Sequence, residues 1–315
     1  MCDRYSQDKR KLEPGTLWNS TIQQTEHAIN CGALLSIPTE YEFVEQDGIR
    51  FLVRILTSLQ RKDEAKKQQD KKTTTSGKEF NPFLPYEEDL FVADISDTHL
   101  CLLNKFNVID HHLLIVTRAF EEQESFLTGQ DFEAMWACLA EIDGLVFYNS
   151  GKMAGASQRH KHLQLVPLPL APDGAKIPIQ PAIASAKFED GIGKISQFPF
   201  NHAIAKLNPT WAESPTDAAE ATMEYYHSLL LHVGLIGNDS INYGQDSRPY
   251  NLLATREWMM IVPRSQEDFQ SIPVNALGFA GAMLVRNEAQ MKLLKDLGPM
   301  SILKHVARRA WATDG

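Results

Sequence analysis

Residues 145–167, LVFYNSGKMAGASQRHKHLQLVP, predict two short strands joined by a loop of small residues. The second strand is expected to begin at His160 and to stop before Pro167. Because strand side chains alternate between the two faces of a sheet, His160, His162 and Gln164 lie on one face. Two imidazoles and one amide therefore converge on a single surface beside the loop.

This surface suits covalent chemistry at phosphorus. A neutral imidazole is nucleophilic near pH 7 without losing a proton, and a phosphorus–nitrogen bond breaks readily. The loop offers backbone N–H groups that can approach an anion closely. Two histidines at this spacing could also form half of a metal site or be two half-buried polar residues. The small-residue loop, Gln164 in register and the lack of a nearby third ligand favour a catalytic face.

The same residues resemble those of a known superfamily. The pattern His160-x-His162-x-Gln164, after an Asn-Ser-Gly turn and a Gly-Ala-Ser-Gln loop, resembles the nucleotidyltransferase branch of the histidine-triad superfamily. Within it, the chain is most similar to the ATP adenylyltransferase or diadenosine tetraphosphate phosphorylase family. The resemblance covers roughly residues 51–286, with further motifs at 103–106, 112–116 and 275–286. It implies an α+β fold with a histidine-triad-like antiparallel half-barrel sheet and flanking helices.

Composition excludes several classes of protein. The chain has 315 residues and a formal net charge of −9, which argues against broad nucleic-acid binding because that requires a basic surface. Four cysteines without a Cys-x-x-Cys pair indicate reduced thiols rather than a disulfide frame or a zinc ribbon. The sequence has no apolar leader and no run of about 18 apolar residues, so we expect a soluble, cytoplasmic protein without a membrane partner.

Four segments are expected along the chain. They are an N-terminal helix and hairpin at 1–60, a mobile charged loop at 61–79, the catalytic core at 80–170, and a C-terminal half at 171–315 that completes the nucleotide site. Proline-rich sequence after Pro167, ending in Ile177-Pro178-Ile179-Gln180-Pro181, predicts an extended arm between the halves. Apolar periodicity predicts helices over 13–36, 130–143, 216–233 and 288–309.

The C-terminal half is predicted to be a degenerate copy of the same sheet. Residues 250–264 parallel residues 103–118, since each run has an Asn-bearing strand, a turn and an apolar strand that ends in Val-x-Arg. Such a copy would lack the histidine pair and would complete the site as a second subunit does in dimeric relatives, so we expect a monomer. The hypothesis requires residues 250–254 to pair with residues 258–262.

Further binding residues follow from the resemblance. The family has a polyphosphate-binding lysine shortly after a Ser-Leu pair, which implies this role for Lys62. Asn104 and Lys105 either form a hairpin turn or line the nucleotide pocket, and Arg286 stands where relatives have lysine. The expected substrate-binding residues are Lys62, Asn104, Lys105, Asn149, Gly155, Ala156, Ser157, Gln158, Gln164, Asn275 and Arg286. His111 and His112 are adjacent and face opposite sides of any strand, so we interpret both as structural.

The resemblance also implies a mechanism of ping-pong nucleotidyl transfer. His162 attacks the α-phosphorus of diadenosine tetraphosphate, ATP departs, and inorganic phosphate then releases the adenylate as ADP, reversibly. Gln164 donates to an α-phosphate oxygen and His160 orients the site, while a proton-transfer role for His160 stays open. A carbonyl of the turn 149–151 is expected to fix the tautomer of His162. We expect no covalently bound cofactor and no resident metal, although Mg²⁺ can accompany the polyphosphate.

Three alternative functions are weighed against this one. Hydrolytic relatives have a third histidine at the position of Gln164, so the glutamine favours transfer to phosphate over transfer to water. A uridylyltransferase of the galactose-1-phosphate type shares the motif, but such relatives often bring zinc ligands and cysteine pairs that this chain lacks. A non-catalytic nucleotide sensor would have no need of the nucleophile His162.

Overall fold

The computed structural model describes residues 11–57, 81–237 and 247–308, so Lys62 and the expected loop 61–79 lie outside the described residues. The helices are α1 Leu17–Asn30, α2 Gly129–Glu141, α3 Gln180–Ala184, α4 Pro215–His232, α5 Ala276–Phe279, α6 Glu288–Leu297 and α7 Pro299–Val306. The strands are β1 Thr39–Gln46, β2 Ile49–Leu56, β3 Phe91–Asp94, β4 His99–Leu103, β5 Leu113–Thr117, β6 Gly144–Asn149, β7 His162–Pro167, β8 Lys187–Glu189, β9 Ile192–Lys194, β10 Ala203–Lys206, β11 Tyr250–Ala254, β12 Trp258–Pro263, β13 Asp268–Phe269, β14 Ile272–Pro273 and β15 Ala282–Val285. No helix in these ranges is long and apolar enough to span a bilayer.

Ten strands form one sheet in the order β3-β4-β5-β7-β6-β11-β12-β10-β9-β8. The sheet contains the same arrangement twice. Each copy begins at one edge of the sheet with three strands in chain order, continues with a long helix (α2 or α4), and ends with two strands in the middle of the sheet. The copies meet where β6 and β11 pair antiparallel, with Asn149 opposite Asn251. The expected α+β class, with an antiparallel sheet, flanking helices and a second copy in the C-terminal half, is confirmed.

The repeat relates strands other than those suggested by the sequence. β11 and β12 do pair, with Tyr250 opposite Pro263. Their counterparts in the first copy are β6 and β7, where Gly144 lies opposite Pro167, rather than β4 and β5. The assignment to residues 103–118 was therefore wrong, because short apolar strands look alike in sequence and only the sheet order separates them. The shared Val-Pro at the ends of β7 and β12 marks the correct correspondence.

The two faces of the large sheet are covered differently. One face packs against α1, α2 and α4 along both copies, with Leu163 and Ile261 in one apolar cluster. The other face of the second copy is covered by α5, α6, α7 and the small sheet β1-β2-β15, which bury Trp258 and Met260. On the first copy this second face carries His162, because alternate residues of β7 point there.

Local differences from the predicted elements have simple causes. The first helix ends at Asn30 because Gly32 has a positive φ of 77°, and the last is divided by Gly298 (φ 82°) followed by a proline. The arm expected to be extended ends in α3, where Pro181 occupies the first turn and its missing N–H is tolerated. The hairpin of β1 and β2, with Gln46 opposite Ile49, is confirmed.

Candidate active site

The histidine strand starts two residues later than expected. β7 begins at His162, while His160 forms only an isolated bridge with Glu122. Both imidazoles belong to buried residues, with relative exposures of 2% for His160 and 4% for His162. Between them, Lys161 points to the opposite face and forms a buried ion pair with Asp131 at 2.7 Å. The Lys161–Asp131 ion pair thus anchors the strand on one face of the sheet, while the histidines lie on the other.

His162 has the tautomer that a nucleophile needs. Its Nδ1 lies 2.8 Å from the backbone oxygen of His160, and since a carbonyl only accepts, Nδ1 carries the hydrogen. The orienting carbonyl is therefore that of His160, and the expectation that it belongs to the turn 149–151 was wrong. The lone pair resides on Nε2, which makes no hydrogen bond to any described residue. Burial lowers the pKa of His162 to about 4, so the ring is neutral at pH 7.

His160 uses both ring nitrogens to hold its position. Its Nε2 lies 2.7 Å from the backbone oxygen of Thr117 and must donate to it. Its Nδ1 then accepts from the side-chain amide of Asn81 at 3.0 Å. Burial also lowers the pKa of His160. With both nitrogens engaged, this geometry favours an orienting role over proton transfer.

Gln164 is oriented by a histidine that sequence reasoning left out of the site. The Nε2 of His112 lies 3.0 Å from Gln164 Oε1, and His112 Nδ1 accepts from Asn104 Nδ2 at 3.2 Å. These two hydrogen bonds fix His112 as the Nε2–H tautomer, and the Gln164 amide N–H groups donate to none of the described residues. Burial lowers the pKa of His112 to about 4, so its ring is also neutral. His112, interpreted from the sequence as structural, thus lies directly against a predicted catalytic residue, whereas His111 packs its ring against Trp18 at 5.2 Å.

Gln123 is a second contributor that the sequence did not reveal. Its side-chain oxygen accepts the backbone N–H of His162 at 2.9 Å. Its amide nitrogen donates to the backbone oxygens of Asn149, at 2.9 Å, and His162, at 3.2 Å. The buried side-chain amide of Gln123 therefore bridges Asn149, at the end of β6, and His162, at the start of β7. No motif marks this glutamine, since it stands within the charged run Glu121-Glu122-Gln123-Glu124.

Residues of the C-terminal half hydrogen-bond to the small-residue loop that follows β6. Asn149, expected to bind substrate, accepts at Oδ1 from Asn251 Nδ2 (2.8 Å) and from the backbone N–H of Ala276 (2.9 Å). Asn251 also donates to the backbone oxygen of Ala154 at 2.8 Å. The buried guanidinium of Arg264 donates to Asn251 Oδ1 at 2.6 Å and to the Ala154 oxygen at 3.2 Å. Second-copy residues thus position the loop of the first copy.

Gly155 is required where the loop meets the C-terminal block. Its φ is +93°, and a Cβ there would lie 2.9 Å from the backbone oxygen of Val274 and 3.0 Å from the Cα of Asn275. Asn275 in turn accepts from the backbone N–H of Leu277 at the start of α5. Gly155 and Asn275 are therefore brought together, as expected for parts of one site.

The remaining expected binding residues are more dispersed. Asn104 donates to His112, as described above, while Lys105 forms an ion pair with Glu87 at 2.6 Å. Arg286 is exposed at the end of β15 in the small sheet, where its backbone N–H donates to Gln290. Ala156, Ser157 and Gln158 lie in the irregular loop before His160 and are half-buried or exposed. Their proposed contacts with nucleotide stay predictions.

One group of metal-ligand residues is found within residues 11–57, 81–237 and 247–308. It consists of His27, Cys31 and Asp89, all exposed, with donor atoms within 4.8 Å of one another. None of the predicted catalytic residues belongs to it.

Comparisons with known proteins agree with this geometry. The family model described as the Ap4A phosphorylase N-terminal domain matches residues 7–185, and the ATP adenylyltransferase C-terminal domain matches residues 196–309. Diadenosine 5',5'''-P1,P4-tetraphosphate phosphorylase 2 of Saccharomyces cerevisiae is 28% identical over 276 residues, which cover 80% of this chain and 81% of the yeast protein. Protein APA1 of the same yeast is 30% identical over 203 residues, which cover 59% of this chain and 61% of the yeast protein.

Solved structures show the same fold. The crystal structure of yeast Ap4A phosphorylase Apa2 matches with a TM-score of 0.77 at 22% identity, covering 95% of this chain and 99% of the yeast chain. The yeast protein in complex with Ap4A matches with a TM-score of 0.71 at 21% identity, covering 95% and 100% of the two chains. With both family models matched in order along most of its length, the chain belongs to the ATP adenylyltransferase and Ap4A phosphorylase family of enzymes.

Proposed function

We propose that this enzyme transfers adenylate from diadenosine tetraphosphate to inorganic phosphate, giving ADP and ATP through an adenylate held on His162. The observation that carries the proposal is the neutral, Nδ1-protonated imidazole of His162, whose Nε2 lone pair is free of hydrogen bonds to described residues. The relatives named as Ap4A phosphorylases, and the yeast protein solved with Ap4A, support the same substrate.

In the first step His162 Nε2 forms a bond to the α-phosphorus as the bond from that phosphorus to its bridging oxygen breaks. ATP leaves with the bridging oxygen and its electron pair. The imidazole becomes cationic while it carries adenylate, and the backbone oxygen of His160 stabilises the N–H on its far side. Gln164, held through its oxygen by His112, has its amide N–H groups free to donate to an α-phosphate oxygen as charge develops.

In the second step an oxygen of inorganic phosphate attacks the same phosphorus and the phosphorus–nitrogen bond breaks. ADP is released, and the electron pair returns to Nε2 of His162. Run in reverse, the same steps join adenylate from ADP to ATP. We treat Mg²⁺ as an ion carried by the polyphosphate, and Lys62, Ser157, Gln158 and Arg286 as groups that help to hold the phosphates.

Product analysis tests the reaction class. The protein is incubated with diadenosine tetraphosphate with and without inorganic phosphate, and the nucleotides are separated. ADP and ATP that form only with phosphate support the proposal, whereas AMP plus ATP or two ADP would assign a hydrolase. Binding without turnover would assign a sensor.

Mass spectrometry tests the intermediate. Protein mixed with substrate in the absence of phosphate is quenched in alkali, where a phosphorus–nitrogen bond to imidazole survives, and then digested. One adenylate on the peptide that contains His162 is expected. The matched control is His160→Ala, which should retain the labelled site even when turnover is slow. Label on another residue would remove His162 from its proposed role.

A further inference from the structure

A short segment outside the histidine strand lies directly against both imidazoles. The ring of Phe83 meets His162 edge-on with centroids 5.3 Å apart, and meets His160 in the same manner at 5.6 Å. Phe83 is 7% exposed and belongs to a small apolar cluster on this face, together with Leu114 and Val116 of β5. No signal in the sequence placed this phenylalanine at the site.

Asn81 fixes the segment to the histidines. Its Oδ1 accepts the backbone N–H of Phe83 at 2.9 Å, forming a local turn, while its Nδ2 donates to His160 Nδ1 at 3.0 Å. One amide therefore holds the phenylalanine in place and selects the His160 tautomer that donates to Thr117. The carbonyl of His160 in turn orients His162.

We propose that Asn81 and Phe83 are positioning residues that cover the nucleophile and direct its adenylate to phosphate rather than to water. The inference rests on the proposed function. Phe83 removes solvent from one side of the two imidazoles, so a small nucleophile such as water loses a route to the phosphorus. If water does attack, its oxygen bonds to phosphorus, the phosphorus–nitrogen bond breaks, a proton goes to the medium and AMP is released instead of ADP.

The covering also governs the protonation of His162. Burial is the main cause that lowers its pKa from 6.5 to about 4. The ionisable group that acts on it is His160, just before the same strand. His162 acts in turn on His112, before β5, and Glu121 acts on His160. Removing the Phe83 ring admits water and should raise the pKa of His162 toward 6.5. A full return would reduce the neutral fraction at pH 5 about 30-fold.

The test compares Phe83→Ala with Phe91→Ala. Phe91 packs against the same apolar cluster but stacks on Tyr86 instead of a histidine, so it reports the cost of losing a ring without uncovering the site. We expect Phe83→Ala to move the acid limb of kcat/KM to higher pH and to raise the AMP to ADP ratio at fixed phosphate. Phe91→Ala should change neither. Phe83→Leu, which keeps apolar cover, should restore most of both properties.

A direct titration makes the inference independent of turnover. NMR of imidazole-labelled protein follows the pKa of His162 in the wild type and in each variant. Equal His162 pKa values and equal product ratios in Phe83→Ala and Phe91→Ala would overturn the proposal. If Phe83→Ala does not fold, Asn81→Ala decides it, because loss of this amide releases Phe83 and His160 without leaving a large cavity. An unchanged His162 pKa and an unchanged product ratio in Asn81→Ala would then overturn the proposal. If the wild type makes no phosphate-dependent ADP, the proposed function is refuted. The titration still measures whether Phe83 covers His162, because it does not depend on turnover.

Discussion

Removing His112 should slow catalysis only through Gln164. His112 donates to Gln164 Oε1 at 3.0 Å and touches no other predicted catalytic group by hydrogen bond, while Gln164 has its amide N–H groups free for the phosphate. Three variants define the test: His112→Ala, Gln164→Ala and the double variant. The neighbouring His111→Ala is the matched control, because that ring packs on Trp18 and bonds to Thr25 instead.

The magnitudes follow from the roles of the two groups. Loss of a donor aimed at developing charge costs about 10²–10³-fold in kcat, which is the expectation for Gln164→Ala. A neutral hydrogen bond is worth about 1 kcal/mol, so His112→Ala should lower kcat about fivefold by letting the amide turn. Because His112 acts through Gln164, the double variant should be no slower than Gln164→Ala alone.

The assay is the initial rate of ADP and ATP formation from diadenosine tetraphosphate and phosphate, with kcat and KM separated. Thermal unfolding of each variant shows whether the fold is retained. A double variant slowed by the product of the two single effects would refute the relay, since independent contributions multiply. An effect of His111→Ala as large as that of His112→Ala would also contradict it.

Three further outcomes are expected. His162→Ala should lower kcat by about 10⁴–10⁶-fold and abolish the adenylated peptide in mass spectra. Lys161→Met should lower the free energy of unfolding in urea by about 3 kcal/mol, because the buried carboxylate of Asp131 would lose its lysine partner and keep only His99 and Thr128. His112, His162 and His202 each have a pKa lowered to about 4 by burial, so the unfolded chain binds more protons below pH 6.5. The free energy of unfolding should therefore fall as the pH drops from 6.5 toward 4, and a flat profile there would contradict the buried neutral rings.

The sequence was sufficient for features whose signal is local. Alternation along β7 correctly separated the face of His162 and Gln164 from that of Lys161, since a strand has a period of two whatever it packs against. The hairpin expected within residues 1–60 turns at Asp47-Gly48, a pair typical of hairpin turns, and apolar periodicity located α2 and α4. Such patterns depend on a few consecutive residues.

The groups that control the histidines were not predictable in this way. Asn81 reaches His160 from 79 residues away in the chain, and Gln123 reaches His162 from 39 residues away. His112 reaches Gln164 only because β5 is the neighbour of β7 in the sheet, where Leu114, two residues after His112, lies opposite Gln164. The carbonyl that orients His162 was also missed, since it depends on where β7 starts. The contacts of Asn81, Gln123 and His112 join residues that are distant in sequence, which no local pattern encodes.

The predicted catalytic residues have apolar counterparts in the second copy of the sheet. In register, His162 and Gln164 of β7 correspond to Trp258 and Met260 of β12, since Pro167 and Pro263 occupy the same end. The tryptophan and methionine lie in the apolar cluster beneath α5 to α7, so that face of the second copy is filled by core. The same C-terminal elements carry Asn275 against Gly155, and β11 and the residue after β12 supply Asn251 and Arg264 to the loop. A polar group at Met260 would be buried in this apolar cluster, whereas the amide of Gln164 has a hydrogen-bond partner in His112. The same C-terminal layer thus fills one face of the second copy and supports the loop of the first.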